Sequence, residues 1–227
     1  MAFDRIRIKE DSIFLVGKEE TLLEATLEDL VDELRSTRSD KVRLLKELHL
    51  TSKLCEWNDR HLQMPMSRRK SSYEELESEL IEGHPYHPCF KSRTGFTIED
   101  HKDYGPEARN AFPLQWVAVR RRYVRMAVLE EEESFWKREL GPLMWEILLA
   151  KLAVFDGTHE EYTFLPIHPW QWHNMKHDLA PLMEQKDLIP LDVKGDYYRA
   201  TQSVRTLWNS SNPDKAQLKC SLNMVNT

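Results

Sequence analysis

The chain has 227 residues, 41% hydrophobic and 31% charged, with a formal net charge of −6. That is the profile of a soluble globular protein with a real core, and it argues against a general nucleic-acid binder, whose affinity rests on basic patches. Its longest apolar runs fall far short of a membrane span, and the N-terminus lacks the apolar core of a signal peptide.

Three widely spaced cysteines, Cys55, Cys89 and Cys220, give no disulfide framework, so free thiols in a reducing cytoplasm are expected. In chain order, Thr21-Leu22-Leu23-Glu24 is a capping-box pattern that predicts a helix start, followed by Leu27, Leu30, Val31 and Leu34 at helical spacing. A second amphipathic helix is expected over about 40–57, with Leu44, Leu45, Leu48 and Leu54 as its apolar stripe. Both stripes read as core faces. Residues 63–70, with Pro65 and three cations, read as an exposed connection. Ser72-Tyr73-Glu74-Glu75 caps a short third helix through Ile81, and Gly83 suits its C′ position.

Gly83 to Gly95 holds two His-Pro pairs, His84-Pro85 and His87-Pro88, with Lys91 and Arg93 behind them. Each proline fixes its own φ and pushes the preceding histidine into an extended conformation, which disfavours a regular helix or central strand. A rigid loop that presents imidazoles and cations is expected, and such loops carry function more often than packing.

Tyr104-Gly105-Pro106-Glu107 reads as a turn. Residues 112–119 alternate Leu114, Trp116 and Ala118 with Gln115 between, which suits a strand or the first turn of a helix running on through Arg125. The basic run Arg120–Arg122 is balanced by Glu130–Glu133 and reads as a solvated charged face. Residues 135–155 are helical in period, with a break near Gly141-Pro142 and a buried side of Trp145, Leu148, Leu149 and Leu152. Tyr162 to Ile167 suits a buried strand. Pro169 fits the first position of a helix running towards Leu179, which would place His173 and His177 four apart on one face. That spacing can chelate a metal, but no carboxylate or cysteine of matching spacing completes a ligand set, so structural histidines are the expectation. Trp170 and Trp172 read as core aromatics.

Residues 196–208 and 216–225 both alternate with period two around a polar stretch, Asn209 to Lys215, the signature of a hairpin. A turn symmetric about Asn212 would set Arg205 opposite Lys219 and Ser203 opposite Ser221, with Arg199, Thr201, Ser203 and Arg205 on one face. Like charges paired across strands destabilise a sheet. The pairing makes sense if an anion lies between them, since Arg supplies a rigid fork and Lys a point charge; the plain alternative is two cations flexing into solvent. The chain carries neither a G-x-x-x-x-G-K-[ST] loop nor a G-x-G-x-x-G turn nor a G-x-S-x-G elbow. With seven glycines in all, phosphate would have to be held mainly by side chains.

These blocks together resemble the IucA/IucC family, the NRPS-independent siderophore synthetases. The resemblance rests on Gly83-His84-Pro85…His87-Pro88…Lys91…Arg93…Gly95, then His168-Pro169-Trp170-Gln171, then Ser203-Val204-Arg205-Thr206 and Lys219, in that order from about Glu75 to the end. It implies an α+β fold like a cupped hand: a mainly helical N-terminal thumb (1–160), the beginning of an antiparallel-sheet, ATP-binding fingers region (161–227), and a helical palm with no counterpart here. The implied enzyme is an ATP- and Mg2+-dependent ligase. A carboxylate of citrate or a citrate-like acid attacks the α-phosphate of ATP, and the acyl-adenylate is captured by an amine or polyamine, or less often a hydroxyl. Ser203, Arg205 and Thr206 are similar to the family's ATP-contacting S-x-R-T, and Lys219 to its phosphate-contacting lysine, with Arg205 and Lys219 as the catalytic cations. His84, Lys91 and Arg93 would complete the phosphate pocket, and which of them, or His87, touches phosphate stays open.

The same resemblance implies a cytoplasmic homodimer in full-length form, with no resident metal beyond the magnesium of the nucleotide and no nucleic-acid or membrane partner. Family members are more than twice this length, so a fragment of a longer synthetase, a truncated product or one piece of a split gene is expected, with an incomplete catalytic cycle. The alternatives are a non-catalytic helical scaffold that keeps the motifs as structural elements, and a metal-binding protein using His84, His87, His168, His173 and His177.

Overall fold

The computed structural model describes residues 14–16, 22–24, 38–61, 76, 93–127, 130–222 and 225–226, with backbone alone at 14–16, 22–24, 38–40, 93–94 and 225–226. The chain divides into two compact units, one of residues 1–61, 84–94 and 227, the other of residues 62–83 and 95–226. It is a mixed α+β fold, in which helices alternate with short antiparallel strands.

In the first unit, β1 (Phe14–Val16) and β2 (Leu22–Glu24) form an antiparallel pair, with Phe14 opposite Glu24 and Val16 opposite Leu22. The capping box at Thr21 therefore opens no helix over 22–24. A T-x-x-E pattern is four residues long, and here backbone pairing with β1 takes the N–H groups that a cap would have served. The remainder of that predicted helix lies outside the described residues, as do 63–70, most of the Ser72–Ile81 helix and the loop from Gly83 to Ser92. The next helix is as expected but longer: α1 spans Arg38–His61. It buries Leu54 fully and Leu44, Leu45 and Leu48 in part, with Thr51 and Asn58 on the same side. Strand β3 (Arg93–Thr94) closes the described part of this unit.

Past Gly95, the second unit forms a helix the sequence reading missed, α2 (Ile98–Tyr104). Its polar sequence hides it from a periodicity search. Its signal is the cap, where Thr97 and Asp100 bond reciprocally, at 3.1 Å from the Asp100 N–H to the Thr97 hydroxyl and 2.8 Å from the Thr97 N–H to the Asp100 carboxylate. Two sheets follow. Strands β4 (Phe112–Pro113) and β5 (Gln115–Arg120) leave Leu114 buried between them. Helices α3 (Glu132–Leu140) and α4 (Pro142–Ala153) are separated at Gly141, whose φ of 80° ends the first helix before Pro142 starts the second. Strand β6 (Tyr162–Ile167) leads into α5 (Pro169–Met175), α6 (Ala180–Glu184) and β7 (Leu188–Pro190).

The first sheet has the order β6-β5-β7, all antiparallel. Central β5 is buried on both faces, not on one as strict alternation suggested. Trp116 and Ala118 pack with Trp136, Trp145, Leu148, Leu152 and Phe164, while Val117 and Val119 pack with Leu188 on the other side. Helix α5 stops at Met175, so His177 lies beyond it and the two histidines do not share a helix face. The helix is short because its N-terminal proline and the turn after Met175 leave room for only two turns. Among the described residues, no three His, Cys, Asp or Glu side chains gather in a group that could hold a metal, and no helix is long and apolar enough to cross a membrane.

The second sheet carries the order β10-β9-β8-β4, with β8 at Tyr197–Ala200, β9 at Thr206–Asn209 and β10 at Leu218–Lys219. Val225–Asn226 forms a last strand, β11. Residues 196–208 are thus two strands with a tight turn between them, not one long strand. Period-two alternation cannot reveal such a turn, because it contains neither glycine nor proline. One face of this sheet is core: Phe112, Tyr198, Ala200 and Leu207 are buried together, with Leu218 and Cys220 against them.

Candidate functional site

Of the residues singled out at 199–219, Arg199, Thr206 and Lys219 fall on this second sheet, and Thr201, Ser203 and Arg205 fall in its β8–β9 turn. Val204 donates its N–H to the Thr201 carbonyl at 2.8 Å, and Thr201 donates to the Thr206 carbonyl at 2.9 Å. Arg205 closes a still tighter loop by donating to the Ser203 carbonyl at 2.5 Å. The chain reverses so sharply because Val204 sits at φ 57°. A β-branched residue in the left-handed region is a genuine outlier that persists only where its surroundings over-determine it. Here they do. Val204 is fully buried with Phe96 and Leu222, and Tyr104, Trp170 and Cys220 pack around that cluster. The middle residue of Ser203-Val204-Arg205 is an apolar peg that holds the turn, while Ser203 and Arg205 flank it half-buried.

The His168-Pro169-Trp170-Gln171 block braces the same turn. The Trp170 ring lies 4.7 Å from that of Phe96, and the Gln171 amide donates to the Ser221 carbonyl at 3.0 Å, just past β10. His168 caps α5 by accepting the Trp170 N–H on Nδ1 at 3.1 Å, which leaves the proton of the neutral ring on Nε2. It is fully buried, edge-on to Tyr104 and Phe112, and that burial lowers its pKa to about 4. Trp170 and Trp172 are packing residues, as expected.

The register corrects one expectation. Lys219 pairs with Thr206 and Leu218 with Leu207, while Cys220 donates its N–H to the Arg205 carbonyl at 2.7 Å. Arg205 therefore stands opposite Cys220, not Lys219. The assumed symmetry about Asn212 was off by one residue, and a one-residue slip exchanges the faces. Its physical cause is the Asn209–Lys215 connection. There the Asn209 side chain accepts the N–H groups of Ser211 and Asn212 at 3.0 and 2.8 Å, and donates to Asp196 at 2.7 Å, where Lys215 also binds at 2.6 Å. That folded knot sets the strand offset. Burial pushes the Asp196 carboxyl up, but the bonds from Lys215 and Asn209 and the Lys215 charge together bring it below its ordinary value.

On the face away from the core, Lys219 stands beside Thr206, and Trp208, two residues further along β9, stands beside Arg199. The Arg199 guanidinium lies 5.8 Å from the centre of the Trp208 ring. Lys219 is exposed and Thr206 half-buried. Among the described residues Arg199, Arg205 and Lys219 have no carboxylate partner, and the Nε atoms of both arginines are buried without a hydrogen-bond acceptor. Arg199 and Lys219, on the same face as Thr206 and without a carboxylate partner among the described residues, form a surface suited to a polyanion, while Arg205 lies in the turn beside it, in register with Cys220. Cys220 is a free thiol whose pKa burial pushes up to about 11, so it is a packing residue and not a nucleophile.

Of the other residues read as site candidates, His84 and Lys91 lie outside the described residues. Arg93 is described only as backbone in β3, within the first compact unit. Arg199 was noted for its face but not as a site residue. The signal was available, since it is the only cation within 196–204 of the alternating stretch.

Residues 72–227 match the IucA / IucC family. The chain is 37% identical, over 161 residues, to the citryl-spermidine/3,4-dihydroxybenzoyl-citryl-spermidine:spermidine ligase of Bacillus anthracis, covering 70% of this chain and 26% of that protein. It is 32% identical over 160 residues to putrebactin synthase of Shewanella sp. (strain MR-4), covering 69% of this chain and 25% of that one. Among solved structures, the petrobactin biosynthesis protein AsbB from Bacillus anthracis str. Sterne superposes with a TM-score of 0.78 at 29% identity, over 90% of this chain and 35% of that one. The ATP-bound aerobactin synthetase IucA from a hypervirulent pathotype of Klebsiella pneumoniae shares the fold, with a TM-score of 0.62 at 20% identity over 88% of this chain and 36% of that one. The chain thus spans about a quarter of the length of the two named relatives. With well over half of its residues matched, it belongs to the IucA / IucC family.

Proposed function

We propose that this chain forms the triphosphate-gripping part of an ATP-dependent siderophore synthetase, one that activates a carboxylate of citrate or a citrate derivative and passes it to an amine. The observation that carries this reading is that Arg205 and Lys219, at the positions of the family's S-x-R-T motif and its lysine, have no carboxylate partner among the described residues. Family membership and the citryl-spermidine substrate in one relative's name support the substrate class. His84, Lys91 and Arg93 as further phosphate ligands, the thumb-and-fingers division at residue 160, and a cytoplasmic homodimer rest on the resemblance alone.

In the proposed reaction a carboxylate oxygen attacks the α-phosphorus, the bond from that phosphorus to the bridging oxygen breaks, and pyrophosphate leaves with the electron pair. The amine nitrogen then attacks the acyl carbon, AMP departs with the carboxylate oxygen, and the nitrogen loses a proton to solvent. Lys219 and Arg205 would stabilise the charge that builds on the phosphate oxygens, with the Thr206 and Ser203 hydroxyls donating to them. Such preorganised donors lower a barrier because they are held in place before reaction begins, here by the Val204 peg and the β9–β10 pairing. Among the described residues no three His, Cys, Asp or Glu side chains gather in a group that could hold Mg2+.

The test uses a family synthetase carrying residues 72–227 of this chain in place of its own matching segment. With ATP, Mg2+, citrate and hydroxylamine it should release AMP and pyrophosphate and form a citryl hydroxamate, and R205Q or K219Q should abolish both. Formation of ADP and phosphate, or full activity in both variants, would contradict the reading.

A further inference from the structure

The sheet face that carries Thr206 and Lys219 continues past them. Arg199 on β8 and Trp208 on β9 are directly paired, with the guanidinium over the indole ring at 5.8 Å. A cation over an aromatic face is held electrostatically, and the flat guanidinium keeps its in-plane N–H donors free for other partners. No carboxylate meets Arg199 among the described residues, and its Nε is buried without an acceptor. Leaving a buried charged donor unsatisfied is costly. A fork of donors held over an indole ring, without a carboxylate partner among the described residues, on the same sheet face as Thr206 one strand away and Lys219 two strands away, suits the bidentate binding of a phosphate in an extended polyphosphate.

We infer that Arg199 is a third phosphate-binding cation of this site, positioned by Trp208, and that it contacts polyphosphate oxygens beyond those met by Lys219. The inference rests on the nucleotide reading proposed above. Trp208 is a positioning residue in this arrangement, because it acts through the guanidinium. Its own Nε1 is buried without a partner.

The test is isothermal titration of the chain with three probes: inorganic tripolyphosphate, adenosine and citrate. R199Q should weaken tripolyphosphate binding by on the order of tenfold to a hundredfold, the loss of one charge-assisted contact, and leave adenosine and citrate unchanged. R199K, which keeps the charge but not the fork, should fall between, and it decides the matter if R199Q does not fold. W208F, which keeps a ring, should bind tripolyphosphate nearly as the wild type, whereas W208A should resemble R199Q. Wild-type affinity in R199Q or R199K, beside weakened binding in K219Q, overturns the role of Arg199 and leaves the nucleotide reading standing. A loss of citrate instead of tripolyphosphate affinity overturns it too, by making Arg199 a carboxylate ligand. A wild-type chain that binds no tripolyphosphate overturns the inference and removes the support for the nucleotide reading together.

Discussion

The two sheets of the second unit carry arginines in different company. Around β5, Arg122 donates to both oxygens of Asp187 at 2.7 and 2.9 Å, Arg120 meets the same carboxylate at 3.2 Å, and Tyr123 donates to it at 3.0 Å. Arg121 pairs with Glu132 at 2.6 Å and also donates to the His159 carbonyl. Around β9, Arg199, Arg205 and Lys219 have no such partners among the described residues. Charges that close on carboxylates within the fold serve the fold, and their removal strands a buried partner. Charges left open, as on Arg199 and Lys219 of the outer face and Arg205 of the adjoining turn, are available to a ligand. Count and clustering of cations therefore do not mark a site. Arg120–Arg122 is the denser run, and its charges are spent internally.

Changes in the first sheet should be read in stability. Phe164 is fully buried against Trp145, so Phe164→Ala should lower unfolding free energy by about 3–5 kcal/mol, measured by urea denaturation. His168 should give the next largest effect, and only at low pH. Its folded pKa of about 4 lies below the unfolded value of about 6.5. Its contribution is thus fully present above pH 6.5 and is lost as pH falls towards 4, by roughly 3 kcal/mol. His168→Asn keeps a capping acceptor and should flatten that slope; an unchanged slope would mean that His168 is not the titrating group.

Asp187 should act in a separate, more acidic window. Burial pushes its carboxyl up, but the bonds from Arg122 and Tyr123 and the charges of Arg122 and Arg120 bring it below its ordinary value. Its stabilisation is present above the unfolded carboxylate pKa and disappears as pH drops through the lower folded one. Asp187→Asn should destabilise the protein at neutral pH and remove this acid-side slope. The smallest effect should come at Gly141, with φ 80° and open space where a Cβ would stand. Gly141→Ala should cost only the conformational strain, about 1–2 kcal/mol, without touching the cationic face of β8–β10.

Much of this was legible in the sequence where periodicity is long and packing decides. Residues 38–61, the two helices broken at Gly141-Pro142, and the strands at 115–120 and 162–167 follow from apolar spacing and from proline and glycine placement. Helix α2 was invisible because a polar helix of seven residues has no stripe, only a cap. The β8–β9 turn was invisible because Val204 adopts a backbone that valine normally avoids, and only tertiary burial stabilises it there. The residue types at the site were readable, since Arg205, Thr206 and Lys219 were singled out from sequence. Their pairing was not, because an Asx-bonded connection at Asn209 shifted the register by one.

The most direct test places the two sheets side by side: ATP·Mg2+ binding and the urea midpoint, measured on the wild-type chain, Asp187→Asn and Lys219→Gln. Asp187→Asn should lower the midpoint and still bind ATP below its transition. Lys219→Gln should keep the midpoint and lose tenfold or more in affinity, on the order of one charge-assisted contact. Wild-type ATP affinity in Lys219→Gln, at an unchanged midpoint, would contradict it.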